Sequence, residues 1–562
     1  MSFDLIPEPQ SVTLNGEAAD SDDAGAPVPV ALPLVGRISE DRDIDDIAGV
    51  FPTQLADDIE AATGLRWDIA SDVMVAGLPA PNAATAHPVP PHASCWKSFI
   101  TLRLDPSSLE PQEYRLTIAR SGIDVVGGDT EGVRNGVQTL RQIIRQCAPA
   151  LPRLVIADKP AYKVRGYYLD ATRGRVPTLD WLKTWADRLC LYKYNQLQLY
   201  IEHTFMFDDL SETWRGTSPL KPADIIAFDE YCARLGIELV PSVSTFGHQY
   251  MAMRTRELRH LGEFPEDADR QYGFVERQRH HTLNITEPES LAFSFKLIDA
   301  YMQLFRTRKF NICGDETFDL GRGRSKPEAE RRGVAAMYAD FVSQLCRHLS
   351  ESGREPMFWG DIAVEMPQIL GLLPDNVTLL NWLYAPGIGE DKVRLVAQAG
   401  APQYVCSAVW CWNALLPRLD DSWNNISRLA RYGVKYGAVG YLVTDWGDYG
   451  HVNDPRMAVS GMIFGAQCAW NPMAHIQGEA GCGDGEEGSA AGYADAAADA
   501  VRENKAAADG DSPAPLPSSS ESAITPVARP TRLRARRPAA MGRVPRCAVA
   551  WPRSNTATVR AA

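Results

Sequence analysis

No two cysteines in the sequence stand in a C-x-x-C pair, and none is grouped with histidines at the spacing of a zinc or iron–sulfur centre. The 11 cysteines are odd in number, and several have apolar neighbours (Cys190, Cys232, Cys346), which reads as buried, reduced thiols. No run approaches the roughly 18 consecutive apolar residues of a membrane span. The first residues, "MSFDLIPEPQSV", show no basic segment leading into an apolar one, so the expectation is a cytoplasmic protein with no membrane partner. Positive charge is also scarce: 57 Lys and Arg against 71 Asp and Glu leave a net charge of -14. That balance argues against a nucleic-acid partner, whose phosphates need a basic surface.

What is present is an ordinary globular composition, 45% apolar over 562 residues, with 13 tryptophans and 19 tyrosines. Aromatic faces hold sugar rings well, although any single one is as readily core. Three zones follow one another. Residues 1–158 carry short alternating runs ("SFITLRLD", "YRLTIARSGIDVVGG") and then a helical stretch, "GVRNGVQTLRQIIRQC", which predicts a small α+β domain. Residues 473–562 are rich in Ala, Gly, Ser, Pro and finally Arg; they cannot bury enough apolar surface to offset ordering, which predicts a disordered tail.

Between them, residues 159–472 alternate apolar strands with helical segments. Eight strands are readable: "VRGYYLDA", "QLQLYIEH", "ELVPSVST", "KFNICGDE", "PMFWGDIA", "VTLLNWLY", "QYVCSAVW" and "AVGYLVTDW". Eight such units predict an α/β fold of the (β/α)8 barrel type. An open doubly wound sheet is the weaker alternative, because no glycine-rich phosphate loop follows the first strand.

Polar residues gather at the C-terminal ends of these strands, which in a barrel converge on one mouth. They are Asp170, Thr172 and Arg173; Glu202 and His203; Ser244, Gly247 and His248; Asp315 and Glu316; Trp359 and Asp361; Asn381 and Trp382; Trp412 and Asn413; and Asp445, Trp446 and Asp448. Taken singly, an aspartate at a strand end is most often a helix cap, and a histidine such as His248 is most often structural. Their convergence favours chemistry instead. Carboxylates and aromatics with no metal or cofactor signature point to glycoside hydrolysis.

Retaining glycosidases of the ordinary kind place two carboxyl groups about 5 Å apart across the scissile bond. Asp315 and Glu316 are adjacent in sequence, so both reach one site only where the strand turns into its loop. Such a pair suits one acid that protonates the leaving group and one that steers a nucleophile belonging to the substrate.

"FNICGDE" resembles the H-x-G-G-D-E strand of glycoside hydrolase family 20, the β-N-acetylhexosaminidases. "VRGYYLDATR", "YKYNQLQLYIEH", "GIELVPSVSTFGH" and "TDWGD" are similar to further motifs of that family, and residues 114–144 to its non-catalytic α+β domain. The resemblance implies an exo-acting, retaining hydrolase of terminal β-linked N-acetylhexosamine, acting on a small oligosaccharide or glycoconjugate without a cofactor or metal. It implies Glu316 as general acid and later base, Asp315 on the acetamido nitrogen, and His248 tuning Glu316. Arg165 would grip sugar hydroxyls, Trp359, Trp382 and Trp446 would wall the pocket, and Asp448 would meet a hydroxyl. There are departures. Asn311 and Cys313 replace a histidine and a glycine of the motif, changes expected to be tolerated. Glu202 or His203 stands where an acid partnering His248 is usual, and Trp412 with Asn413 where a pocket tyrosine is usual. The alternative reading is a carbohydrate-binding protein with an impaired barrel.

Overall fold

The computed structural model describes residues 3–14, 28–70 and 98–474. All but the first two residues of the predicted tail lie outside the described residues. No helix among the described residues is long and apolar enough to cross a membrane.

The first part of the chain builds a mixed seven-stranded sheet, ordered Ser11–Leu14, Leu154–Asp158, Tyr114–Ala119, Gly122–Gly127, Ile100–Leu104, Arg37–Glu40 and Asp68–Ala70. The alternation of "YRLTIA" and "GIDVVG" puts Leu116, Ile118, Ile123 and Val125 on the face that meets the helices Val50–Thr63 and Thr130–Cys147. The second helix begins where the Asp129 carboxylate accepts the Gly132 N–H at 2.7 Å, an N-cap. It is buried on nearly every side. Val133, Val137, Leu140 and Ile144 pack on the sheet, while the Arg134 guanidinium reaches across to the carbonyls of Tyr194, Leu235 and Gly236.

Those carbonyls belong to the second structure, a closed barrel of eight parallel strands. They are β1 (Arg165–Asp170), β2 (Gln196–Ile201), β3 (Glu238–Val243), β4 (Lys309–Asn311), β5 (Glu355–Trp359), β6 (Thr378–Trp382), β7 (Gln403–Ala408) and β8 (Gly440–Asp445). Pairing of Arg165 through Leu169 with Tyr441 through Asp445 closes the ring. Strands β1, β2, β7 and β8 are buried at every residue, as near-continuous apolar runs demand when helices cover one face and the barrel interior the other.

The eight strands match those read from the sequence. The fourth is shorter than "KFNICGDE" suggests, ending at Asn311. The cause is local: Cys313 (φ 61°) and Gly314 (φ 78°) enter the left-handed region, where a strand cannot continue. The Asn311 side chain supports that turn by accepting the Cys313 N–H at 2.9 Å while donating to Gln198 at 3.1 Å.

Candidate active site

The turn after β4 carries the two acids to the mouth. Tyr338 donates to the Gly314 carbonyl at 2.8 Å, and Glu316 is itself left-handed at φ 48°. From the loop after β3, Gly247 lies flat against this turn: a Cβ there would stand 2.6 Å from the Asp315 carbonyl oxygen, so no larger residue fits. That close approach delivers His248, whose Nε2 lies 3.4 Å from Asp315 Oδ2 and 3.5 Å from Glu316 Oε2.

The three groups differ in exposure and therefore in charge. His248 is enclosed, and burial disfavours its charged form, yet the Asp315 carboxylate beside it outweighs burial and pushes the ring up to about 9. Glu316 keeps a third of its side chain open. Burial raises its carboxyl above the usual range; His248 opposes this and the charge of Asp315 reinforces it. The arrangement sets an acid whose carboxyl is raised beside a histidine pushed up to about 9 and a second carboxyl group. One ligand atom from each of the three lies within 4.8 Å of the other two, so among the described residues this trio could also hold a cation.

Arg173, three residues past the end of β1, dominates the neighbouring wall. It lies 3.3 Å from Glu202 Oε1 through Nε and 2.9 Å from Asp448 Oδ1 through a terminal nitrogen, and its guanidinium covers the rings of Tyr200 and Trp446 at 5.3 and 5.0 Å. Burial alone would raise Glu202; the His203 ring, 3.7 Å away, and the charge of Arg173 reverse this and hold it down at about 2. Glu202 also accepts from the Tyr200 hydroxyl at 3.0 Å. It therefore serves Arg173 and makes no hydrogen bond to His248, and neither ring nitrogen of His248 has a hydrogen-bond partner. Asp170 is structural: its carboxylate accepts the N–H groups of Thr172 and Arg173 in the turn after β1 and of Gly447 after β8, tying the ends of the two strands together.

Trp359 and Trp446 stand with Tyr168 in one aromatic cluster, ring centroids 4.8 to 5.6 Å apart. Trp382 and Trp412 belong to a second, stacked on and edge-on to Tyr384 at 5.1 and 5.6 Å. The Trp446 indole donates to the Tyr384 hydroxyl at 2.7 Å and joins the two clusters. Asp448 is held from the far side by Gln278, which donates to its backbone carbonyl at 2.6 Å.

One expected site residue is elsewhere. Arg165 opens β1, at the end of the barrel opposite the acids, where it donates to the Lys193 carbonyl (2.8 Å), Gln112 (2.6 Å) and Glu131 (2.8 Å). It fastens the barrel to the preceding domain and cannot touch a molecule bound at the mouth. Of the two arginines of "VRGYYLDATR", Arg165 is the first residue of the strand and only Arg173 lies past its C-terminal end. Tyr384 was not singled out as a site residue from the sequence, and Asp361 only as one of the polar strand ends without a role; each follows a strand, the one signal that marks them.

The family description "Glycosyl hydrolase family 20, catalytic domain" matches residues 162–412, and "Glycosyl hydrolase family 20, domain 2" matches residues 46–159. The chain belongs to glycoside hydrolase family 20. A β-hexosaminidase of Akkermansia muciniphila is 30% identical over 54% of this chain and 65% of its own length. A lacto-N-biosidase of Bifidobacterium bifidum is 26% identical over 53% of this chain and 26% of its own. The chain thus spans about a quarter to two thirds of the length of these two relatives. Among solved structures, the β-N-acetylhexosaminidase of Bacteroides fragilis shares the fold with a TM-score of 0.61 at 17% identity, covering 89% of this chain and 95% of that one. The N-acetyl-β-hexosaminidase of Streptomyces plicatus does so with a TM-score of 0.61 at 18% identity, over 83% and 90%.

Proposed function

We propose that the protein is an exo-acting β-N-acetylhexosaminidase that works by a retaining, substrate-assisted route. The observation that carries this reading is the trio itself: Glu316, raised and open, beside a buried Asp315 that shares His248 with it. Two carboxyl groups from neighbouring residues on one turn cannot flank a glycosidic bond as acid and attacking nucleophile.

In the first step Glu316 gives its proton to the glycosidic oxygen as the bond to the leaving group breaks. The substrate's own acetamido oxygen forms the new bond to the anomeric carbon, and Asp315 accepts a hydrogen bond from the acetamido N–H, favouring the positive charge that develops there. In the second step the Glu316 carboxylate takes a proton from water, whose oxygen attacks the anomeric carbon and reopens the oxazolinium ring to the acetamide. Two inversions give retention.

The exo preference draws support from Arg173. With Glu202 and Asp448 it closes one side of the mouth by a buried set of ions suited to the hydroxyls of a terminal sugar. Relatives named β-hexosaminidase and lacto-N-biosidase agree in acting on an N-acetylhexosamine-containing glycan. A binding protein would gain nothing from a raised Glu316 carboxyl beside His248 and Asp315, so that alternative is not favoured.

The deciding experiment compares hydrolysis of an aryl N-acetyl-β-glucosaminide with that of the plain aryl β-glucoside. Turnover of the first alone is expected. Equal rates on both would refute assistance by the acetamido group.

A further inference from the structure

Asp361 follows β5 and begins the short helix Asp361–Glu365, where an aspartate ordinarily caps its own helix. It does not do so. No side chain caps that helix, and Asp361 Oδ2 instead accepts the backbone N–H of Glu316, on a different strand's loop, at 3.1 Å.

The bond lands on a residue that needs holding. Glu316 sits at φ 48°, the third left-handed position in four residues after Cys313 and Gly314, a conformation that a side chain larger than hydrogen disfavours. Rotation about that φ swings the acid's carboxyl group across the mouth. Among the described residues the Glu316 N–H donates to no acceptor other than Asp361.

We propose that Asp361 is a positioning residue for the hydrolysis: its carboxyl group clamps the Glu316 amide in the left-handed turn and so aims the acid at the glycosidic oxygen. The inference rests on the glycosidase reading for its effect on rate, and on geometry alone for the clamp. The surroundings fit a neutral carboxyl group in this position. Burial, then the neighbouring charges of Asp315 and Glu316 and the more distant Glu365, push Asp361 well above the carboxylate range, although the bond from the Glu316 N–H opposes this. Asp361 Oδ1 and Asp315 Oδ1 are both buried without a hydrogen-bond partner, so a proton on Oδ1 leaves Oδ2 free to accept the amide. An asparagine reproduces that acceptor; an alanine removes it.

The test uses the full chain with Asp361→Ala and Asp361→Asn. A misaimed acid costs on the order of 10²-fold in rate, so Asp361→Ala should lose about that much in kcat with KM within roughly threefold, the pattern of a contact that serves the transition state. Asp361→Asn should recover most of the loss. An unchanged kcat in the alanine variant, or an asparagine variant as slow as the alanine one, overturns the proposal. If the alanine variant does not fold, the asparagine variant alone decides: a loss of kcat as large as 10²-fold overturns it. Hydrogen exchange at the Glu316 amide reads the clamp without turnover. It should be slow in the wild type and Asp361→Asn and fast in Asp361→Ala, whereas equal exchange in all three refutes the clamp. A wild type inactive on the aryl N-acetyl-β-glucosaminide would sink the glycosidase reading and leave the exchange result standing.

Discussion

The two ends of the barrel bury charged groups in comparable depth and treat them in opposite ways. At the closed end Arg165 is spent on Glu131, Gln112 and backbone carbonyls, and Lys193 lies 3.5 Å from Asp158, 3.1 Å from the Tyr114 hydroxyl and over the Trp470 ring. At the open end both ring nitrogens of His248, one oxygen each of Asp315 and Asp361, and the Trp359 indole N–H are buried without a hydrogen bond. A buried polar atom that goes unpaired costs about 1–3 kcal/mol. The seam leaves Arg134 Nε unpaired, but the mouth gathers several such atoms in one place, where a polar ligand can complete the set. The two arginines are both paired, and what separates them is their neighbours: Arg165 bonds to satisfied groups of the seam, whereas Arg173 lies past the end of β1 beside the unpaired groups of the mouth.

Variants at the two ends should fail differently, and the largest expected failure is at the mouth. Glu316→Gln removes the proton donor and should lower kcat by about 10²- to 10⁴-fold, with the unfolding temperature and binding of N-acetylglucosamine nearly unchanged; hydrolysis assays and calorimetry check both. Arg173→Met should come next, weakening kcat/KM by about 10- to 100-fold through lost charged hydrogen bonds. Arg165→Met should leave KM alone and cost about 1–3 kcal/mol of stability, because the buried Lys193 and Tyr162 carbonyls and Gln112 lose their donor, while Glu131 keeps Arg134 and Asn195. Denaturant unfolding of the two arginine variants side by side, with kinetics on each, would erase the distinction if both lost the same property.

That distinction also marks how far the sequence could be read. The eight strands and their order were legible because strands buried on both faces write themselves as apolar runs. The gathering of Asp315, Glu316, His248 and Asp448 at one end followed from strand direction alone. Arg165 and Arg173 were harder: one opens β1 and the other follows it, and assigning a grip on sugar to the first put it at the wrong end by the length of β1. Asp361 was legible as a polar strand end but not as a clamp, since its partner is a backbone amide that only the left-handed turn at Glu316 presents. Tyr384 was hidden for a related reason. The resemblance looked for a pocket tyrosine after the seventh strand, whereas here a tyrosine hydroxyl beside Trp446 comes from the end of the sixth.

The smallest expected effect lies in the pH dependence of the mouth itself. His248 is pushed from 6.5 to about 9 when folded, chiefly because Asp315 outweighs its burial. A raised histidine contributes stability that is complete below its unfolded value and is lost as pH rises through the folded one. The wild type should therefore lose stability relative to His248→Asn between pH 6.5 and about 9, and keep a constant difference below that window. Activity should move the other way. His248 lowers the Glu316 carboxyl, so its removal lets that carboxyl hold its proton to higher pH, and the alkaline fall of kcat/KM should shift upward in the variant even as its maximum drops. Arg165→Met, at the far end, should shift neither curve at the mouth; an alkaline limb that moved with Arg165 would mean that the two ends are not independent.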